Sequence, residues 1–155
     1  MITHLICANG RFWSELKRFD FPSEDDVLAR VIGGLDGVRD FSLLLWKLPT
    51  GQRLVDVTPE DEADEYMQCA GSATALTIEV RRRIGDEFVR STVGRPRNGA
   101  AESVEVSWAG HTESIWSTEL FDATEALGLF SHYRQTNSVP DGYDLRAAAE
   151  HVVQE

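Results

Sequence analysis

The chain has 155 residues, 42% of them hydrophobic, and its 26 acidic against 15 basic side chains give a formal net charge of −11 at pH 7. This length fits a single domain over residues 1–155, with enough core to fold without disulfides or metals. The acidic balance argues against a nucleic-acid binder, because phosphate contacts require a basic surface. Such a surface serves solubility or recognises a basic partner.

Cysteine content and the first residues bear on the compartment. Cys7 and Cys69 are the only cysteines, which is too few for a disulfide scaffold or a four-thiolate metal site. The chain does not open with a basic segment and a long apolar run, and nowhere do 18 apolar residues follow one another. We therefore expect an unprocessed cytoplasmic protein that makes no membrane contact.

The first elements are a hairpin and a capped helix. Residues 2–8 predict a strand that ends at Asn9-Gly10, a dipeptide that adopts the two positive φ angles of a type I′ turn. Residues 11–19 fit either a return strand or a short helix, and their periodicity leaves both open. Ser23 as N-cap, Asp26 three positions later and a following apolar face predict a helix near residues 24–35.

The middle of the chain alternates between strands and turns. Residues 41–46, FSLLLW, are typical of a central strand covered on both faces. Proline and glycine at 49–51 predict a turn and an antiparallel return over residues 53–57. A short strand is expected at residues 66–69.

A second hairpin follows. Leu76, Ile78 and Val80 alternate with polar residues, and Gly85-Asp86 fits a two-residue turn into a strand over residues 87–93. This turn places Arg81 opposite Arg90, and like charges in that position are unfavourable. Either the register differs or the arginines find acidic partners.

The last third contains the clearest strand and helix. Val104, Val106 and Trp108 alternate with polar residues before a break at 109–110, as in a strand with one buried face. Asp122 and Glu125 have capping-box spacing, which predicts a helix over residues 123–135. A weak terminal helix is expected over residues 145–153.

A dense acidic run lies between the predicted strands. Residues 56–65, DVTPEDEADE, hold six carboxylates in ten positions, and like charges at this density predict an exposed loop. A solubilising loop is the commoner explanation. The functional alternative is an acidic face for a basic partner, formed by Asp61, Glu62, Asp64 and Glu65.

Motifs for catalysis or metal binding are not found in the sequence. His111 and Glu113 form the H-x-E of a zinc deaminase, but the P-C-x-x-C that completes that zinc site is missing. The four histidines are far apart in the chain, and no phosphate-binding glycine loop or G-x-S-x-G elbow occurs. We expect no catalytic residue, metal or cofactor, and hence a protein that is not an enzyme.

The last third resembles the bacterial immunity-protein family 1, whose members accompany deaminase-type toxins. The resemblance rests on an aromatic strand, a glycine, a capped A-L-x-x-F helix and a following proline. The matching residues are Trp108, Gly110, Phe121, Asp122, Ala126, Leu127, Phe130 and Pro140, with Tyr143 at a position often held by tryptophan or tyrosine.

The order of elements predicts a single-domain α+β fold, a mainly antiparallel sheet of about five or six strands with two principal helices packed on it. The resemblance implies a cytoplasmic antitoxin that binds and occludes a cognate toxin domain, such as a deaminase or nuclease, and leaves the oligomeric state open. The predicted binding surface is the acidic run, and a competing surface contains His111, Glu113 and Trp116. The alternative function is a small-molecule-binding or enzymatic domain with an apolar pocket beside the sheet.

Overall fold

The structure is a computed structural model that describes residues 3–17, 22–59, 63–97 and 101–147. Two α-helices lie within these ranges, α1 (Glu24–Gly33) and α2 (Ala123–Thr136). The strands within the same ranges are β1 (His4–Ala8), β2 (Phe12–Leu16), β3 (Ser42–Lys47), β4 (Tyr66–Ser72), β5 (Ala75–Ile84), β6 (Glu87–Gly94), β7 (Ser103–Trp108), β8 (His111–Trp116) and β9 (Asp144–Ala147). Neither helix is long and apolar enough to cross a membrane.

Seven strands form one sheet in the order β2-β1-β3-β4-β5-β6-β9, and every neighbouring pair is antiparallel. Strands β7 and β8 form a separate two-stranded hairpin. The predicted α+β class with a mainly antiparallel sheet and two principal helices is confirmed. The predicted count of five or six strands was too low.

Both helices cover one face of the sheet and build the main core there. They contact each other and the central strands, because each presents an apolar stripe to the sheet. Among the buried residues of this core are Leu28 and Ile32 from α1, Phe130 and Tyr133 from α2, and Leu43, Leu45, Met67, Ile78 and Val80 from the sheet.

The helix N-caps form where the sequence predicts them. Ser23 Oγ accepts a hydrogen bond from the Asp26 backbone N–H at 3.1 Å, and the Asp26 carboxylate accepts one from the Ser23 N–H at 2.9 Å. Asp122 likewise accepts from the Glu125 N–H at 2.9 Å. The predicted capping box at α2 is completed on one side only, because the Glu125 carboxylate accepts hydrogen bonds from Arg95 and Tyr143 instead.

Two predicted elements were wrong and one ambiguity is settled. Residues 53–57 contain a 3-10 turn, Leu54–Asp56, rather than a strand, and there the Glu15 carboxylate binds the Arg53 guanidinium at 2.7 Å and accepts from the Leu54 N–H. The described part of the predicted terminal helix is β9, which pairs with the free edge of β6. Within the arm left open at residues 11–19, Phe12–Leu16 form β2, and residues 18–19 lie outside the described residues.

The predicted hairpins are otherwise confirmed. Asn9 and Gly10 both have positive φ, 57° and 70°, and Ile84 pairs with Glu87 across the Gly85-Asp86 turn. Arg81 does lie opposite Arg90.

The second face of the sheet is covered in two parts. Leu48, Leu54, Val57 and Ala63 pack over β1 and β3 in a smaller core that also contains Leu5 and Trp46. The β7–β8 hairpin packs over β4 and β5, with Val106 and Ile115 buried beneath it. The hairpin tip is held by the Ala109 N–H, which donates to Gly37 O at 2.8 Å.

Candidate functional site

A cavity of about 270 Å³ lies between the β7–β8 hairpin and the second face of the sheet. Most of its polar and aromatic side chains come from five strands, β4 to β8, and from the turn after β1. These side chains are Asn9, Gln68, Thr77, Glu79, Arg90, Trp108, His111 and Glu113.

An ion pair forms the floor of the cavity. Arg90 Nη2 donates to both carboxylate oxygens of Glu79, at 2.9 and 3.0 Å. Glu79 on β5 and Arg90 on β6 are diagonal neighbours on one face, because Glu79 pairs with Thr92 in the register. Burial opposes the charged form of Arg90, but Glu79 together with Tyr66 and Glu113 raises its pKa. The guanidinium therefore remains charged, and the acidic neighbour resolves the expected Arg81–Arg90 conflict.

The underside of the hairpin forms the roof. Val106 pairs with Glu113 and Trp108 pairs with His111, so the register directs these four side chains to one face. The Trp108 and His111 rings lie 4.8 Å apart between centroids. Glu113 is half-buried, and its carboxylate accepts no hydrogen bond from any residue that the structure describes. Two predicted site residues, His111 and Glu113, therefore share this cavity.

Trp116 does not belong to the same site. It pairs with Ser103 and lies on the opposite face of the hairpin from Glu113. Its ring is covered by the Arg97 guanidinium, 4.7 Å from the centroid. The predicted grouping of Trp116 with His111 and Glu113 is wrong, because three positions along a strand reverse the side-chain direction.

The surroundings of Trp116 form a second cavity of about 290 Å³. Its charged groups are largely satisfied internally. Arg146 donates to both oxygens of the buried Glu119, at 2.7 and 2.9 Å. Arg95 donates to Glu125 at 2.9 Å and to the Leu120 carbonyl at 2.9 Å.

The predicted acidic run is described only in part. Asp61 and Glu62 lie outside the described residues. Asp64 is exposed, whereas Glu65 is half-buried and accepts a hydrogen bond from the Arg83 N–H at 3.0 Å. Glu65 therefore ties the residue before β4 to the backbone of β5, in addition to carrying a negative charge.

Carboxylates outnumber basic side chains among the exposed charged residues that form no ion pair. The ion pairs among the described residues engage five arginines, Arg53, Arg90, Arg95, Arg134 and Arg146. Twelve exposed carboxylates join no ion pair with the described residues, against seven exposed Lys and Arg side chains that likewise join none. These carboxylates are Asp26, Asp36, Asp40, Asp56, Asp64, Asp86, Glu87, Glu102, Glu105, Asp122, Asp141 and Asp144. The excess negative charge therefore lies on the surface.

Within the described ranges, no three His, Cys, Asp or Glu side chains are placed to hold a metal ion. Cys69 borders the cavity, but burial raises the pKa of its thiol to about 12. The thiol is therefore not a reactive thiolate near neutral pH.

Sequence reasoning missed the floor of the cavity. The alternation in β5 already places Thr77, Glu79 and Arg81 on the face away from the core. That pattern alone predicts an exposed polar face, because it carries no information about the hairpin that covers it.

Comparisons of the chain with protein-family models, with curated proteins and with solved structures give no match.

Proposed function

We propose that this protein is an immunity protein, a cytoplasmic antitoxin that binds a cognate toxin domain and occludes its active site. The toxin is a nucleic-acid-acting enzyme such as a deaminase or nuclease, delivered by secretion or by cell contact. The inhibitor acts by binding alone and is not itself an enzyme, and it needs neither metal nor cofactor. The resemblance of the last third of the chain to immunity-protein family 1 motivates this proposal.

The placement of charge is the observation that carries the proposal. Five arginines are engaged in ion pairs with particular carboxylates, while twelve other carboxylates and only seven Lys and Arg side chains are exposed without such a partner in the described ranges. Enzymes that act on nucleic acids line their substrate groove with lysine and arginine. An acidic surface therefore complements that groove and accelerates encounter with it.

Co-expression tests this function directly. The C-terminal enzymatic domain of the toxin encoded immediately upstream is expressed with and without this protein, and growth and co-purification are measured. We expect restored growth and a stable complex, because specific interfaces of about 1,600 Å² support nanomolar binding.

The matched control is an unrelated acidic protein of similar size and net charge expressed at the same level. If the control restores growth equally well, the effect is non-specific charge screening. Failure of both rescue and co-purification would remove the proposal.

A second candidate, a small-molecule-binding or enzymatic domain, is favoured by one observation, the cavity beside the sheet. At about 270 Å³ the cavity lies slightly below the ~300–1,000 Å³ common for small-molecule sites. Among the described residues, no hydrogen bond joins His111 to a hydroxyl or thiol that could act as a nucleophile. Binding by a protein partner remains the better-supported function.

A further inference from the structure

We infer that the cavity beneath the β7–β8 hairpin receives an arginine side chain of the protein partner, which makes this cavity the specific anchor point of the interface. The identity of the partner rests on the proposed function. The preference of the cavity for a guanidinium group rests only on the groups that line it.

The cavity lining contains one more carboxylate than guanidinium. Its charged residues are Glu79, Glu113 and Arg90. Arg90 and Glu79 neutralise each other through two hydrogen bonds of 2.9 and 3.0 Å. Glu113, on the opposite wall, joins no ion pair with the described residues. Arg90 and Arg146 both interact electrostatically with Glu113, but neither forms an ion pair with it. Within the cavity lining, one guanidinium between two carboxylates leaves one net negative charge, and this charge favours an added positive group.

The neighbouring arginine does not fill this role. Arg81 lies on the same face of the sheet but is not part of the cavity lining. Its guanidinium is held 4.6 Å from the centre of the Phe88 ring. Arg81 therefore does not supply a second cation to the cavity, whose one lining arginine, Arg90, is hydrogen-bonded to Glu79.

The aromatic wall favours a planar cation. Arginine stacks on aromatic rings and pairs with a carboxylate through a fork of donors, and indole is the best aromatic partner for a cation. The chain already uses this contact, since Arg97 lies 4.7 Å from the Trp116 ring centre and Arg95 lies 5.0 Å from that of Phe121. Among the described residues, no cation lies over Trp108.

The size of the site also points to a side chain. A space of about 270 Å³ beneath a hairpin is small for a drug-sized ligand. Interface energy concentrates on a few residues, often arginines, that fill such pockets. Long-range attraction by an acidic surface acts on any basic partner. An arginine that fits this cavity would in addition select one partner and one binding orientation.

A titration with N-acetyl-arginine amide tests the inference on the protein alone. The signal is the indole N–H resonance of Trp108 in a nitrogen-15 spectrum, assigned with W108F. We expect a saturable shift with the arginine compound and none with N-acetyl-citrulline amide, which has nearly the same shape without the charge. E113Q should weaken the affinity roughly tenfold, as expected for loss of one charged hydrogen bond.

The matched control variant is E105Q, because Glu105 lies on the exposed face of the same hairpin and pairs with Ser114. It should bind the arginine compound as the unmodified protein does. Equal shifts with the citrulline compound, no saturable shift with either compound, or equal weakening by E105Q and E113Q would each overturn the inference. The comparison of the two compounds uses only the unmodified protein, so its result does not depend on whether any variant folds.

The two proposals fail separately. The titration contains no toxin, so a negative growth rescue leaves its result unaffected and removes only the proposed function. Conversely, rescue together with the absence of arginine binding would retain the antitoxin and remove this cavity as its anchor point.

Discussion

His4 is a buried histidine whose proton equilibrium is coupled to folding. It is 4% exposed on β1, its Nδ1 lies 2.9 Å from Thr3 Oγ1, and its buried Nε2 has no hydrogen-bond partner. Burial, together with the charges of Arg134 and Lys47, lowers its pKa from 6.5 to about 4. The folded protein therefore excludes a proton that the unfolded chain binds below pH 6.5.

This coupling predicts a loss of stability on acidification. The contribution of His4 is fully present above pH 6.5 and decreases as the pH falls towards 4, by roughly 2 kcal/mol between pH 7 and pH 5. The hydrogen bond from Arg53 lowers the pKa of Glu15 from 4.5 to about 2, so protonation of Glu15 reduces stability only below about pH 4.5. Urea unfolding of the unmodified protein and of His4→Leu at pH 5, 6 and 7 measures the effect. Parallel curves for the two proteins would show that His4 is not the coupled group.

Strands β4 and β5 and the β7–β8 hairpin meet at Gly71, which pairs with Leu76 next to the β4–β5 turn. Its φ is +126°, and a Cβ built there would lie 2.2 Å from the Ala75 carbonyl oxygen and 3.3 Å from Val106 Cγ2. The first contact is with backbone, which cannot rotate away. A side chain here would therefore strain the β4–β5 turn and displace the hairpin.

We predict that Gly71→Ala lowers the free energy of unfolding by more than about 2 kcal/mol. Gly128→Ala is the matched control, because Gly128 lies within α2, is exposed and has open space around its Cα. That substitution should instead stabilise the protein by about 0.5–1 kcal/mol. Denaturant unfolding of both variants measures the difference, and equal stabilities would contradict the described packing at Gly71.

The whole molecule presents more negative than positive charge to a partner, and the acidic run is its densest segment. Solvated charges contribute little to folding but act over a Debye length on an approaching molecule. Glu65 is excluded from a surface test, because it binds the backbone at Arg83. The test therefore uses the exposed Asp64 together with Glu62, which belongs to the same acidic run in the sequence.

We predict that Glu62→Lys combined with Asp64→Lys lowers the association rate with the toxin about tenfold at low salt and flattens its salt dependence. The melting temperature should change little. Asp86→Lys with Asp141→Lys alters the net charge equally and serves as the control for position. Stopped-flow binding across a salt series measures both variants. Unchanged rates for the first pair, with loss of binding in Trp116→Ala, would place the interface on the outer face of the hairpin.

Much of the fold was predictable because local chemistry specifies it. Ser23 and Asp122 supply oxygen acceptors to the first helical turns, and Asn9-Gly10 tolerates positive φ. The alternation around Ile78 defines which face of β5 is buried. Each of these signals lies within a few residues of the structure that it specifies.

The errors arose where a distant partner decided the outcome. Residues 145–147 pair as β9 because β6 offers an open edge, with Leu145 opposite Val93. Arg53 and the backbone of Leu54 bind the Glu15 carboxylate from another strand. The hydrophobic periodicity of the local sequence indicates neither of these contacts.

The sequence by itself determined the helices, most strand faces, the turns and the excess of negative charge, because these depend on residue type and short-range spacing. Only the tertiary structure decided that the hairpin closes over Glu79 and Arg90, with Glu113 above them and Trp116 on the far side. The physical reason is that the cavity forms between the β7–β8 hairpin and strands that precede it in the chain and do not pair with it. Their meeting depends on how the hairpin packs against the sheet, through Val106 and Ile115, and no local pattern encodes that docking.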